Sequence, residues 1–191
     1  MDPPVEVVQG ATGTVRMAGL DECAGLILLG YHTMAGTQGA LLEHTYSSAG
    51  IQNMWMNGRR VGEVGIDAGI AADRHIPTIL VTGDDYVCRE AREWIPDVVT
   101  CEVKQGLSCQ GARVLPLDEA HRRITHAAAE AVRRLPSIRP MPVVRPVTMR
   151  IELVERGHIP SPAVRPGLRV LDGRTCEATA DTVEAALFAV I

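Results

Sequence analysis

Gly25-Leu26-Ile27-Leu28-Leu29-Gly30-Tyr31 is a short, unbroken apolar run, and His32 follows it directly. A run of this length and character fits a strand buried on both faces, the kind that parallel sheets use. His32 then stands just past the C-terminal end of a strand, where open α/β sheets place their ligand sites.

Working outward, Thr33 to Ala40 is rich in Gly and Thr and reads as a loop. Ile51 to Asn57 reads as a second strand, closed by the turn signal Asn57-Gly58. Val61 to His75 carries Val64, Ala68, Ala71 and Ala72 at helical spacing. Ile76 to Val81 is another buried-type strand. Asp84 or Asp85 is suited to cap a helix over Tyr86 to Trp94, which Pro96 ends, and Val98 to Val103 is the next strand. This alternation predicts an α/β fold, a mostly parallel sheet flanked by helices. Asp118 to Leu135 has the clearest amphipathic helical pattern.

The four prolines between Pro136 and Pro146 mark a domain edge. The expected division is therefore residues 1–136 as the α/β core and 137–191 as a smaller C-terminal α+β portion. In the latter, Val147 to Val154 alternates as a half-exposed antiparallel strand, and Thr179 to Ile191 is a short amphipathic helix. Upstream of Gly25 the chain is Gly-rich without a period, apart from a possible helical turn at Asp21 to Ala24.

Composition narrows the function classes. The chain has 191 residues, 46% apolar and 22% charged, with one Phe, so aliphatic side chains and Met must build the core. Its net charge of −4 comes from 19 basic and 23 acidic residues, with the arginines scattered, which argues against nucleic acid. No stretch approaches the roughly 18 uninterrupted apolar residues of a membrane span. Met1-Asp2-Pro3-Pro4-Val5-Glu6 lacks the features of a signal peptide, so the expected compartment is the cytoplasm. The 5 cysteines form no Cys-x-x-Cys pair and read as reduced thiols. Cys109, in a Gly/Ser-rich loop, has no histidine near it in sequence to make it a nucleophile.

Three residues could carry chemistry. His32 ends the first strand, His44 lies beyond the Gly-rich loop, and Glu63 stands between two glycines where a helix begins. Two imidazoles and a carboxylate suit Zn²⁺, although a satisfied buried histidine and a first-turn helix acid would look the same. His75, His121, His126 and His158 read as surface or structural. Asp84 and Lys104 sit at strand ends, where capping accounts for them as well as pocket lining does.

Several segments together resemble the bacterial zinc-dependent D-aminopeptidase family: Leu28-Leu29-Gly30-Tyr31-His32, Glu43-His44, and Asn57-Gly58-Arg59-Arg60-Val61-Gly62-Glu63-Val64-Gly65. Val81-Thr82-Gly83-Asp84-Asp85 and Val103-Lys104-Gln105 follow in matching order. The resemblance implies that His32 and Glu63 are zinc ligands and that His44 is a catalytic histidine beyond the metal shell. It further implies two zinc ions per complete site, short peptides with N-terminal D-amino acids as substrates, and a homo-oligomer, a decamer in the family. The family's Asp-x-Glu-Gly motif, whose acids also bind the zincs, has no counterpart in this sequence, and a further histidine ligand belongs upstream of it. The expected site is therefore incomplete and the expected sheet has an unpaired edge. A non-catalytic remnant or assembly subunit of the family is the alternative reading.

Overall fold

The structure, a computed structural model, describes residues 5–13 and 15–191. The sequence reading of Met1 to Pro4 lies outside them.

The first sheet holds β1 (Leu26–Tyr31), β4 (Thr78–Asp84), β5 (Val99–Ser108) and β6 (Gly111–Val114), in that spatial order. β1, β4 and β5 run parallel, and β6 returns antiparallel to β5. The mostly parallel α/β core is thus present. β4 is buried along its whole length, as an apolar strand paired on both sides must be. β1 departs from its expected burial on both faces. Leu28 is buried, but Ile27 is 40% and Leu29 63% exposed. The reason is positional: β1 pairs only with β4, so its far edge and one face are uncovered among the described residues.

Three helices flank this sheet: α1 (Glu63–Asp73), α2 (Asp85–Trp94) and α3 (Leu117–Arg134). α2 begins on Asp84, whose Oδ1 accepts from the Val87 amide at 2.8 Å, a side-chain cap that sets where strand gives way to helix. α3 packs on β4 and β5, burying Ala127 and Ala131 against Ile79 and Val99.

The second sheet is antiparallel, in the order β3 (Arg59–Arg60), β2 (Ile51–Met56), β7 (Val147–Leu153), β9 (Thr175–Ala180), β8 (Arg169–Val170). β2, read from sequence within the strand–helix alternation, belongs here because only one of its faces is apolar enough to bury, through Met54 and Met56. The sheet therefore draws strands from both sides of residue 136. α4 (Val183–Val190) packs on β7 and β9 and against α1, closing the main core between the two sheets. A Cβ at Gly69 would lie 3.0 Å from Val183 Cγ2, so a bare backbone at Gly69 sets how closely α1 and α4 approach. No helix among the described residues is long and apolar enough to cross a membrane.

Candidate metal centre

β1 delivers His32 to the C-terminal end of the parallel sheet. The chain then turns through 33–50 and folds back on itself. The His44 amide donates to the Thr33 carbonyl (3.2 Å), and the Ala35 amide to Thr45 Oγ1 (3.2 Å). The loop is also tied to the strand ends, since the Leu41 amide donates to Asp84 Oδ2 (3.0 Å) and the Leu42 amide to the Cys109 carbonyl (2.8 Å). Asp84 thus caps α2 and anchors the loop at once. The loop brings His44 onto His32, their rings stacked with centroids 3.7 Å apart.

Both rings present the same nitrogen. Nδ1–H of His32 donates to the Thr33 carbonyl (3.1 Å), and Nδ1–H of His44 to the Leu42 carbonyl (2.6 Å). A carbonyl only accepts, so each neutral ring carries its proton on Nδ1 and its lone pair on Nε2. The two Nε2 atoms lie 3.4 Å and 3.9 Å from Oε1 of Glu63. His32, His44 and Glu63 offer one donor atom each, all within 4.8 Å of one another, and each is half-buried.

Glu63 opens α1, with Gly62 as its extended N-cap. Gly62 has no room for a side chain: a Cβ there would come within 2.7 Å of Glu90 Oε1 and 2.8 Å of Met34 Cα. The Glu63 carboxylate is held at both oxygens. Oε1 accepts from the Tyr46 amide (2.9 Å) and Oε2 from the Arg16 guanidinium (3.1 Å). Burial pushes its pKa up, but the hydrogen bond that a protonated His32 donates, that of the Tyr46 amide, and the charges of His32 and Arg16 outweigh it, leaving the carboxyl below its ordinary value. Conversely, burial disfavours charge on His32, yet Glu63 and the Thr33 carbonyl raise its pKa overall.

Behind the three donors lie charged groups that sequence reasoning missed. Asp67, one turn after Glu63 in an otherwise apolar buried run, is fully buried and accepts from Tyr31 Oη–H (2.7 Å) and from both Nε and Nη2 of Arg16. Glu90 on α2 is 5% exposed; its Oε2 accepts from the Met34 amide (2.8 Å), while Oε1 has no hydrogen-bond partner among the described residues. Burial pushes its pKa up to about 7, against the Met34 amide and His32, which pull it down. A charge within a buried helical face was the available signal for both acids. Arg16 gave none, standing in the aperiodic Gly-rich segment.

The remaining histidines, His75, His121, His126 and His158, are exposed and take no part in the cluster. Cys109 is exposed, and Lys104 lies within β5, paired with Val114.

The sequence profile of the D-aminopeptidase family matches residues 1–190. The chain belongs to that family. A D-aminopeptidase of Bacillus subtilis (strain 168) is 33% identical over 178 residues, which cover 92% of this chain and 64% of the relative. The chain thus spans just under two-thirds of that curated relative. A solved structure, the Zn-dependent D-aminopeptidase DppA from Bacillus subtilis, described as a self-compartmentalizing protease, matches with a TM-score of 0.89 at 29% identity. That match covers 99% of this chain and 69% of the solved one. The α/β sheet and its antiparallel companion therefore match the fold of that solved structure.

Proposed function

We propose that the chain acts as a zinc-dependent aminopeptidase that releases N-terminal D-amino acids from short peptides, with His32 and Glu63 holding zinc and His44 acting on the reacting peptide. The observation that carries this reading is the convergence of two imidazole lone pairs on one carboxylate oxygen. The donor set fits the metal, since the neutral His32 imidazole, its tautomer fixed by the Thr33 carbonyl, and the Glu63 carboxylate are both of the ligand types zinc takes, with His44 beside them and outside the metal shell.

A zinc ion bound there supplies Lewis acidity and lowers the pKa of water toward neutrality. The protein residues do the rest. His32 and Glu63 fix the position of the reacting centre at the mouth of the sheet. His44, held by Leu42, keeps Nε2 free to take a proton and return it to the departing amine. His32 and Glu63 supply two protein donors, and the pair of ions that the family resemblance implies needs donors beyond them.

A homo-oligomer, supported by the self-compartmentalizing relative, is part of the same reading, as is a place in the cytoplasm. The experiment is zinc content per chain, measured beside D-Ala release from D-Ala-D-Ala with L-Ala-L-Ala as control. Zinc with D-selective turnover supports the reading, and turnover lost with zinc retained in His44→Ala supports its assignment. Zinc lost in that variant makes His44 a ligand. No zinc and no turnover in the parent chain sinks the enzymatic reading and favours a non-catalytic member of the family.

A further inference from the structure

Glu63 is a flexible side chain at the first position of a helix, yet its carboxylate is oriented to within one oxygen of two histidines. Part of that order comes from the Tyr46 amide on Oε1. The rest comes from a residue 47 positions earlier in the chain, Arg16, whose Nη2 donates to Oε2 at 3.1 Å.

Arg16 is itself held by several partners. Its Nε and Nη2 form a fork on the two oxygens of Asp67, its guanidinium carbon lies 4.7 Å from the centroid of the Tyr46 ring, and its backbone amide donates to Glu184 Oε1 (2.7 Å). Asp67 is in turn fixed by Tyr31 Oη–H at 2.7 Å. The connection therefore closes on itself. Tyr31 is the residue before His32, Asp67 lies one turn beyond Glu63 on α1, and Arg16 joins the two.

The charges are also arranged to leave Glu63 available. Asp67 is fully buried and engages Arg16 through both oxygens, so much of the guanidinium charge is offset there. Arg16 can then orient Glu63 without cancelling its negative charge. With Oε2 taken by Arg16, Oε1 is the oxygen left facing His32 and His44.

We infer that Arg16 is a positioning residue that holds the Glu63 carboxylate in its metal-binding orientation and restricts it to one-oxygen ligation through Oε1. The inference rests on the reading of Glu63 as a ligand, and the test separates the two. Arg16→Ala removes the fork. The double variant Arg16→Ala/Asp67→Asn removes it without leaving a buried carboxylate unpaired, so a folding failure of the first does not end the experiment.

Two measurements are made on each. One is zinc affinity, expected to fall roughly 10–100-fold, the usual cost of losing an outer-shell partner of a metal ligand. The other is the Tyr46 amide proton shift in metal-free protein, which reports its hydrogen bond to Oε1 and is expected to move upfield as that bond lengthens. Arg16→Lys, which keeps charge and loses the fork, is expected to fall between parent and alanine. A Tyr46 amide that stays in place in the folded variants overturns the inference, as does a parental zinc affinity. Should the parent itself bind no zinc, the ligand reading fails and the amide shift alone decides the role of Arg16.

Discussion

His32 and His44 lie ring on ring, 3.7 Å between centroids and 14° between planes, with both Nε2 atoms turned toward Oε1 of Glu63. Stacked imidazoles that share a single carboxylate oxygen cannot both be charged cheaply in a half-buried site. A dication bound by His32 and Glu63 removes that conflict, because it takes the His32 lone pair and displaces its proton.

Removing the carboxylate should therefore damage metal binding most. Glu63→Gln keeps the shape of the side chain and deletes the negative charge. Zinc affinity, measured by calorimetric competition against a chelator, is expected to fall by more than the roughly 10–100-fold that loss of an outer-shell partner costs. An unchanged affinity would place the metal elsewhere.

Metal binding should weaken as the solution is acidified. His32 must lose its proton to bind zinc, and in the metal-free protein Glu63 raises its pKa. Affinity is expected to be flat above that raised value and to fall as pH drops through it. In Glu63→Gln the onset should move to lower pH, because the partner that raises it is gone. Zinc titrations across pH 5 to 8, roughly the range in which histidines titrate, read both curves.

Glu90 should make the metal-free protein lose stability as pH rises. Its folded pKa of about 7 stands above the 4.5 of an ordinary glutamate, so the folded state holds a proton that the unfolded state gives up. The stability this contributes is complete below 4.5 and lost as pH climbs through about 7. At 1.36 kcal/mol per unit, the change is on the order of 3 kcal/mol. Urea melts of Glu90→Gln are expected to lack this decline and to exceed the parent in stability above neutrality.

Asp67→Ala should destabilise the fold by about 3 kcal/mol, the low end of the cost of breaking a buried ion pair, because Arg16 remains partly solvated. It also leaves Tyr31 Oη–H without its acceptor. Denaturant unfolding gives the number, and a loss below about 1 kcal/mol, the value of a surface pair, would mean the network is weakly held.

Gly62→Ala should cost stability and metal affinity together. The new Cβ meets Glu90 Oε1 and Met34, so the loop after His32 and the start of α1 must separate. Overpacking of this kind typically costs about 1–3 kcal/mol. Parental zinc binding in this variant would show that the two segments move independently.

The strands that bury apolar runs can be read directly from the sequence, β1 and β4 above all, because nothing interrupts their hydrophobicity. β9 was missed for a physical reason. Its core-facing members, Cys176, Ala178 and Ala180, are small and alternate with Thr175, Glu177 and Thr179, so the strand carries too little hydrophobicity to stand out in the sequence. The edge position of β1 was equally invisible from its composition, which is that of a strand with two neighbours.

At the site, strand-end placement brought His32 into view, and glycines on both sides brought Glu63. The stacking of His44 on His32 depends on hydrogen bonds within the 33–50 loop, which no spacing rule encodes. Arg16 was out of reach altogether, since its role exists only after two segments 47 positions apart have met.

The register of the second sheet pairs Met54 with Ile151 and Met56 with Met149. On the ribosome, β2 emerges long before the strand that will pair with it. Until β7 is made, a nascent chain must carry the backbone edge of β2 beside Met54 and Met56 unpaired, next to a first sheet already able to form from β1, β4 and β5. A chain paused in the proline-rich stretch before Val147 is therefore the form most exposed to aggregation and most in need of a chaperone. Pairing over so long a loop also makes closure of the second sheet the slow step when the full chain refolds from denaturant.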